Sequence, residues 1–533
     1  MFKKAGDTLQ HFVWDCSSID IGLTEVDFAR PSALEYFKEL VDSYRGTTNS
    51  LAYYDVLAGD WLFHFMHQVY AALQEVLFGY VSGKGQPIPV DPHLATYRGL
   101  YLQDKFSNYL RWAVTDLLDG HAPDNWVFEC DSTIITSGSN KRLLSQIVRG
   151  ISTNNPDVLL SVPYFKCSRT EWLRALWKWR HWAAWDDLQY PFKFALNVDV
   201  KWRKSKAVEV GKVSDFEGLL RVLLPLNIPV VLLEGFSAYR RAVLNFPVSR
   251  PKVVYSANAL YGHMAFKLLV AEWRDQGTLL LFHQHGGSYG LDRIHACEKY
   301  ETRVSDRYYT FGWYNSDRPH VKPLSAPPLS SQSRLRKRIL LSCVNFPNVV
   351  YRLHFHPMPG SIQTMQRETC EFLSALPDHK KLMVRPYSND YGWGFTEMMR
   401  KVAPNASFDD RRTSSFARYS ESRLVVHNYL GTGWLETLAL DIPTVCFFDI
   451  DTYAFRESAQ PYIDALERIG VLHHSGVSAA RFVAALGNNI ESWWRTAEVQ
   501  DVRHNFVSRY ANFSPDWKEQ WEREFSLLLA EAG

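Results

Sequence analysis

From Leu424 to Asp449 the chain reads LVVHNYLGTGWLETLALDIPTVCFFD. An apolar stretch gives way to a Gly-Thr-Gly turn, then to a segment carrying Trp434 and Glu436, then past Ile442-Pro443 to a second apolar stretch. The pattern predicts a strand, a glycine-bounded loop, a helix and a strand in immediate succession. Around it, apolar runs at 339–344, 381–385, 423–427 and 444–448 predict strands, and helices are predicted over 362–376, near 414–419 and from Trp434. Earlier, 228–235, 251–256 and 278–283 read as strands and 259–274 as a helix. Strands alternating with helices imply parallel, doubly wound sheets, with ligands beyond the carboxyl ends of the strands. The expected fold class is therefore α/β, with two Rossmann-type domains facing a cleft and a largely helical N-terminal region.

The N-terminal region, 1–195, is assigned to the acceptor-side half, and within it residues 52–78 predict a buried helix. The stretch 171–185, EWLRALWKWRHWAAW, suits a helix with basic residues on its wet face or one lying on a membrane surface. Residues 196–325 are expected to form the first Rossmann-type domain. The Pro- and Ser-rich linker spans 326–338, within the segment KPLSAPPLSSQSRLRKR that begins at Lys322. The second, nucleotide-binding domain would occupy 339–533.

Composition narrows the class. With 59 basic against 57 acidic side chains the chain lacks the basic excess of a nucleic-acid-binding protein. Eighteen tryptophans suit a sugar site as well as a core. Seven scattered cysteines without a CxxC pair point to free thiols in a reducing compartment and away from zinc. The start MFKKAGDTLQ lacks a signal peptide's apolar core, and no window holds the roughly 18 apolar residues of a membrane span. A cytoplasmic protein is expected.

The Gly-Thr-Gly turn carries the clearest chemistry. Amides at a helix start attract phosphate, and glycines let a ligand approach the main chain, which selects Thr432 and Gly433. Glu436, one turn in, is placed to accept from a ribose hydroxyl or to complement the helix dipole. Arg385, at a strand exit, would neutralise phosphate or pair with Asp409 or Asp410. His283 and His285 flank Gln284 in a glycine-rich turn, where a histidine can protonate or steady a leaving group. Glu234, read as ending a strand, is a candidate general base or nucleophile, or else a helix cap. Asp306 and Asp390 stand in reserve. Tyr391 and Trp393 would line the pocket or pack the wall between domains. His354 and His356 have no nearby carboxylate, so zinc is not expected.

Five motifs in this order carry a family likeness: QHGGSYG at 284–290, SDRYYTFGW at 305–313, VRPYSNDYGWG at 384–394, the 427–449 stretch, and SWW at 492–494. They resemble transferases encoded in bacterial surface-polysaccharide and O-antigen gene clusters. Those are in turn similar to retaining β-Kdo transferases, which take an eight-carbon ulosonic acid from its CMP ester. The likeness spans 226–494 and implies a GT-B-like, metal-independent glycosyltransferase that uses no cofactor beyond its nucleotide-sugar substrate. On this reading Gln284, Arg385, Tyr387, Asn428, Gly431, Thr432, Gly433 and Glu436 hold the donor, while Glu234, His283 and His285 are catalytic. The acceptor would be a glycan of the LPS O-antigen or a capsule, and a lipid-linked one would bring the protein to the inner face of the cytoplasmic membrane. Two rivals are a CDP-polyol phosphotransferase of the teichoic-acid type and a non-catalytic nucleotide-sugar-binding protein.

Overall fold

A computed structural model describes residues 12, 14–79, 104–123, 126, 156–163, 182–184, 198–208, 213–245, 248–261, 263–327, 329, 338–355 and 357–531. Two parallel sheets organise the molecule. The first contains β1 (Val158–Ser161), β2 (Trp182–Ala184), β3 (Val253–Ser256), β4 (Leu279–His283), β5 (Arg307–Thr310) and β6 (Val321–Pro323), in the order β2-β1-β3-β4-β5-β6. The second contains β7 (Arg338–Ser342), β8 (Leu382–Arg385), β9 (Ser407–Phe408), β10 (Ser422–His427), β11 (Thr444–Phe447) and β12 (Leu472–His473), ordered β12-β11-β10-β7-β8-β9. Counted from β7, that is the 3-2-1-4-5-6 order of a doubly wound dinucleotide-type sheet, reversing between β7 and β10. The first sheet has the flavodoxin-like order, reversing between β1 and β3.

The helix Leu51–Leu77 is sunk in the first half, packed by Cys16–Arg45, Asp104–Leu118 and Met264–Arg274. It carries acids into that interior, and each is met by a cation. Lys267 Nζ lies 2.5 Å from Asp60 Oδ1, with both side chains fully buried, and Asp55 pairs with Arg30 and Arg303. Such pairs return little net stability, but losing one partner leaves a stranded charge.

The structure departs from the sequence reading in four places. Residues 228–235 form no strand: Val230–Leu232 is a single 3-10 turn. A short buried apolar run looks alike in a strand and in a buried turn. Within 171–185 the described residues 182–184 are the edge strand β2, not helix, and the rest of that segment lies outside the described residues. Lys322 belongs to edge strand β6, and Leu324 and Ala326 are buried, so this part of the expected linker is packed; 328 and 330–337 lie outside the described residues, as does His356. Finally, the helix Trp517–Glu531 crosses back to the first sheet. Its stripe Trp517, Trp521, Phe525 and Leu528 packs on Val158, Leu160, Val253, Tyr255 and Leu281, at i, i+3 and i, i+4 helical spacings.

Lys267→Met removes the cation 2.5 Å from buried Asp60 and is expected to destabilise the fold by about 3–5 kcal/mol. The denaturant midpoint reports it.

Candidate functional site

The loop leaving β4 meets the loop leaving β10. Gly287 N donates to Thr432 Oγ1 at 3.1 Å, and Ser288 Oγ reaches the Leu430 carbonyl at 3.5 Å. A Cβ at Gly287 would stand 2.6 Å from the Gly431 carbonyl oxygen. Only glycine permits that approach. Gly431 has its own crowding, since a Cβ there would collide with the Tyr429 ring. The helix Thr432–Ala439 then opens without a side-chain cap. Thr432, Gly433, His285, Gly286 and Gly287 are all partly exposed. The first amides of this helix thus lie in a half-open seam between the two halves. Buried Glu436 lies one turn along, and with burial it raises the Tyr419 hydroxyl to about 12. Tyr387, 39% exposed, stacks on Tyr391 at 6.2 Å.

Below the seam, a second lock closes the halves together. Arg293 N donates to the Ala454 carbonyl at 2.7 Å and Arg456 N to the Leu291 carbonyl at 2.9 Å. The Arg456 guanidinium binds both Glu298 oxygens at 2.7 Å.

Several residues expected at the site are occupied elsewhere. Glu234 does not end a strand: Arg203 grips both of its oxygens at 2.7 Å, and the Asp199 amide donates to it at 3.0 Å. With Arg203 1% and Glu234 5% exposed, this is a buried structural ion pair, which leaves neither carboxylate oxygen open to act as nucleophile or base. His283 is wholly buried, bonded to the Tyr255 hydroxyl at 2.8 Å and the Leu324 carbonyl at 3.1 Å. Burial drives its pKa down to about 3 and keeps it neutral. Gln284 accepts from the Phe311 amide and the Trp313 indole at 3.0 and 2.8 Å, and donates to the Gly286 carbonyl at 2.9 Å. It shapes the glycine loop, with its carbonyl oxygen taken by two donors and one amide N–H used within the loop. Arg385 is drawn into Asp409 and also donates to the Thr413 carbonyl at 3.1 Å. Asn428 accepts from the Val344 amide at 2.9 Å and donates to Thr369 at 3.2 Å, tying β10 to β7. The reserve acids are structural too: Asp306 accepts from the Leu280 amide and Arg274, and Asp390 caps the helix Phe395–Val402. Trp393 donates to the Phe346 carbonyl at 2.9 Å.

In their place stand residues the sequence reading missed. Glu301, wholly buried, accepts from the hydroxyls of Tyr261, Tyr289 and Tyr308. His285 Nδ1 lies 3.7 Å from its Oε1. Burial pushes the Glu301 carboxyl up to about 8, against the downward pull of the three hydroxyls. Arg352 donates to Cys297 Sγ at 2.7 Å, while its Nε is buried without a partner. It acts electrostatically on the Tyr429 and Tyr289 hydroxyls and on the buried Asp292 carboxyl. The only sequence signal for either residue was an acid and a base amid tyrosines in and beside the quoted motifs.

Two doubly wound halves meeting at a glycine-on-glycine seam define a GT-B-like α/β protein. The chain belongs to the LIC12162 family of transferases, whose model matches residues 7–525. A search of curated proteins finds no significant match. Solved structures that resemble it do so loosely. TarM is 11% identical at a TM-score of 0.36, covering 55% of this chain and 58% of TarM. The pneumococcal O-GlcNAc transferase GtfA, in complex with UDP and GlcNAc, is 12% identical at 0.35, covering 56% of this chain and 61% of GtfA. The alignments to those two thus span under two thirds of their length. A Thermobaculum terrenum O-GlcNAc transferase is 12% identical at 0.36, covering 98% and 99%. Among the described residues no group of three or more His, Cys, Asp or Glu could hold a metal ion, and no helix is long and apolar enough to cross a membrane.

Glu234→Ala is expected to destabilise the protein by about 3–5 kcal/mol, because Arg203 is left buried and unpaired. Nucleotide affinity of the folded fraction should be unchanged, as calorimetry at low temperature would show. Gly287→Ala forces the seam open, at a cost of about 1–3 kcal/mol, and should weaken nucleotide binding in the same assay. His67, His283 and His427 are each held neutral down to about pH 3 by burial. The unfolded chain takes up protons near pH 6.5 that the folded chain refuses. Stability is therefore complete above pH 6.5 and falls as pH drops from there toward 3, which melting curves at about pH 5 and 7 will compare.

Proposed function

We propose that the chain is a glycosyltransferase that takes a sugar from a nucleotide-activated donor and passes it to a bacterial surface glycan. One observation carries the reading: the uncapped start of the helix Thr432–Ala439 lies in the half-open seam, directly against the glycine loop of the other half. Helix-start amides and their dipole favour a phosphate there, and both loops bring backbone rather than bulk to it. The donor phosphate rests on the amides around Thr432 and Gly433, both partly exposed at the seam. Glu436 receives a ribose hydroxyl. Arg352 takes over the cationic role first given to Arg385, since its charge acts on the Tyr429 and Tyr289 hydroxyls and its Nε is buried without a partner. The exposed Tyr387–Tyr391 stack supplies a flat face for base or sugar.

The family likeness of the motifs favours a CMP-linked ulosonic acid such as Kdo as donor, and the LPS O-antigen or a capsule as the growing glycan. A lipid-linked acceptor would hold the protein at the inner face of the cytoplasmic membrane. The reaction as drawn uses no metal and no cofactor.

Thermal-shift measurements with CMP, CDP, UDP and GDP test the donor site. A nucleotide at about a hundred times its dissociation constant adds about 2.7 kcal/mol of stability, and CMP is expected to give the largest shift. No shift with any of the four would remove the nucleotide site. Product mass then separates sugar transfer from transfer of a polyol phosphate, and a bound nucleotide with no product would leave a binding protein.

Glu436→Ala should weaken the best nucleotide about ten-fold or more, the loss of a charged hydrogen bond worth about 1.5–3 kcal/mol. Equal affinity in the variant, measured by calorimetry, would remove Glu436 from the site.

A further inference from the structure

Three tyrosines from three separate segments converge on one acid. Tyr261, beyond β3, and Tyr289, beyond β4, donate to Glu301 Oε1 at 2.8 Å; Tyr308, on β5, donates to Oε2 at 3.0 Å. Glu301 sits on the helix Ala296–Val304 with no exposed surface. The nearby Arg456 is committed to Glu298. Among the described residues, the basic group within ion-pair distance of Glu301 is His285, whose Nδ1 is 3.7 Å from Oε1 and 3.5 Å from the Tyr289 hydroxyl. Glu298, on the same helix, adds its charge to the pocket, and His295 sets its ring 4.2 Å from that of Tyr289. The helix Leu51–Leu77 brings His64, its ring 6.4 Å from that of Tyr261. The second half brings Arg352, beside Cys297. Tyr261, Tyr289 and Tyr308 are all held un-ionised by burial.

We propose that Glu301 is the positioning carboxylate of His285: the two titrate as one coupled pair, and Glu301 holds the imidazole with Nδ1 turned inward and Nε2 as the basic atom. The three hydroxyls fix the carboxylate, and Nδ1 faces both Glu301 Oε1 at 3.7 Å and the Tyr289 hydroxyl at 3.5 Å. The opposite ring edge belongs to a partly exposed residue that immediately precedes Gly286 and Gly287 at the seam. A buried acid with neutral donors keeps its proton to higher pH than usual, here to about 8. Within the nucleotide-sugar reading, on which this role rests, Nε2 takes the proton of the acceptor hydroxyl as that oxygen bonds to the anomeric carbon. The bond from that carbon to the donor phosphate oxygen breaks, and its electron pair leaves with the nucleotide.

Full-length protein labelled with 15N-histidine tests the pair by NMR titration, with His285 identified by the resonances lost in His285→Gln. In the wild type the His285 ring nitrogens should report a step near pH 8 from Glu301 as well as the imidazole's own ionisation. Glu301→Gln, nearly isosteric, should abolish that step. Tyr308→Phe removes one donor from the carboxylate without touching His285, and should move the step to higher pH. Superposable His285 curves in the wild type, Glu301→Gln and Tyr308→Phe would overturn the pairing. The titration needs neither donor nor acceptor, so it is independent of the transfer assay: coupled curves in a protein that transfers no sugar would keep the pair and remove the transferase reading.

Discussion

At the seam, a side chain on residue 287 would occupy the space of the Gly431 carbonyl. Gly287 and Gly431 are in van der Waals range through their backbones alone, and the Gly287 amide closes onto Thr432 Oγ1. This contact sets how closely the two sheets approach, and so what the helix start can reach. With bulkier residues the two loops would stand apart, and the amides at Thr432 would face open water, where a phosphate is better solvated and less strongly held.

The approach is sustained by contacts around it. Arg456 spans the two halves, tying Glu298 and the Asp292 carbonyl of the first to the loop after β11. His67, deep in the buried helix, accepts from the Leu353 amide at 3.0 Å and stays neutral to do so. The last helix of the chain lays Trp521 and Phe525 on the first sheet. A polar bond between halves costs little when both partners are satisfied and much when one is lost. These locks are therefore more telling about geometry than about total stability.

The same logic explains why the expected acids and bases were redistributed. Glu234, Arg385, Asp306 and Asp390 all lie in segments that look catalytic in order along the chain. Glu234 instead pairs with buried Arg203, Arg385 with Asp409, and Asp306 and Asp390 accept from amides, because an ionised side chain in the interior needs its full complement of partners. His283 and His285 are two residues apart, yet they point to opposite faces of the chain leaving β4. One enters the Trp521 side of the sheet and becomes a neutral core residue, while the other turns toward Glu301.

Alternating apolar runs and glycine turns were enough to place β3, β4, β7, β8, β10 and β11, the parallel winding of the second half, and the helix after Gly431. Those features depend on local periodicity and on backbone freedom, which neighbouring residues encode. The run at 228–235 defeated the same reasoning because burial makes a strand and a 3-10 turn equally apolar. The short edge strands β2, β6, β9 and β12 carried too few residues to show a period. Which carboxylates are paired, which histidine is neutral, and that Glu301 and Arg352 stand near the seam were decided by tertiary structure. Their partners are up to 286 residues apart in the chain for contacts such as Leu353 with His67, and desolvation, which sets the charge of each group, depends on that distant packing and not on the local sequence.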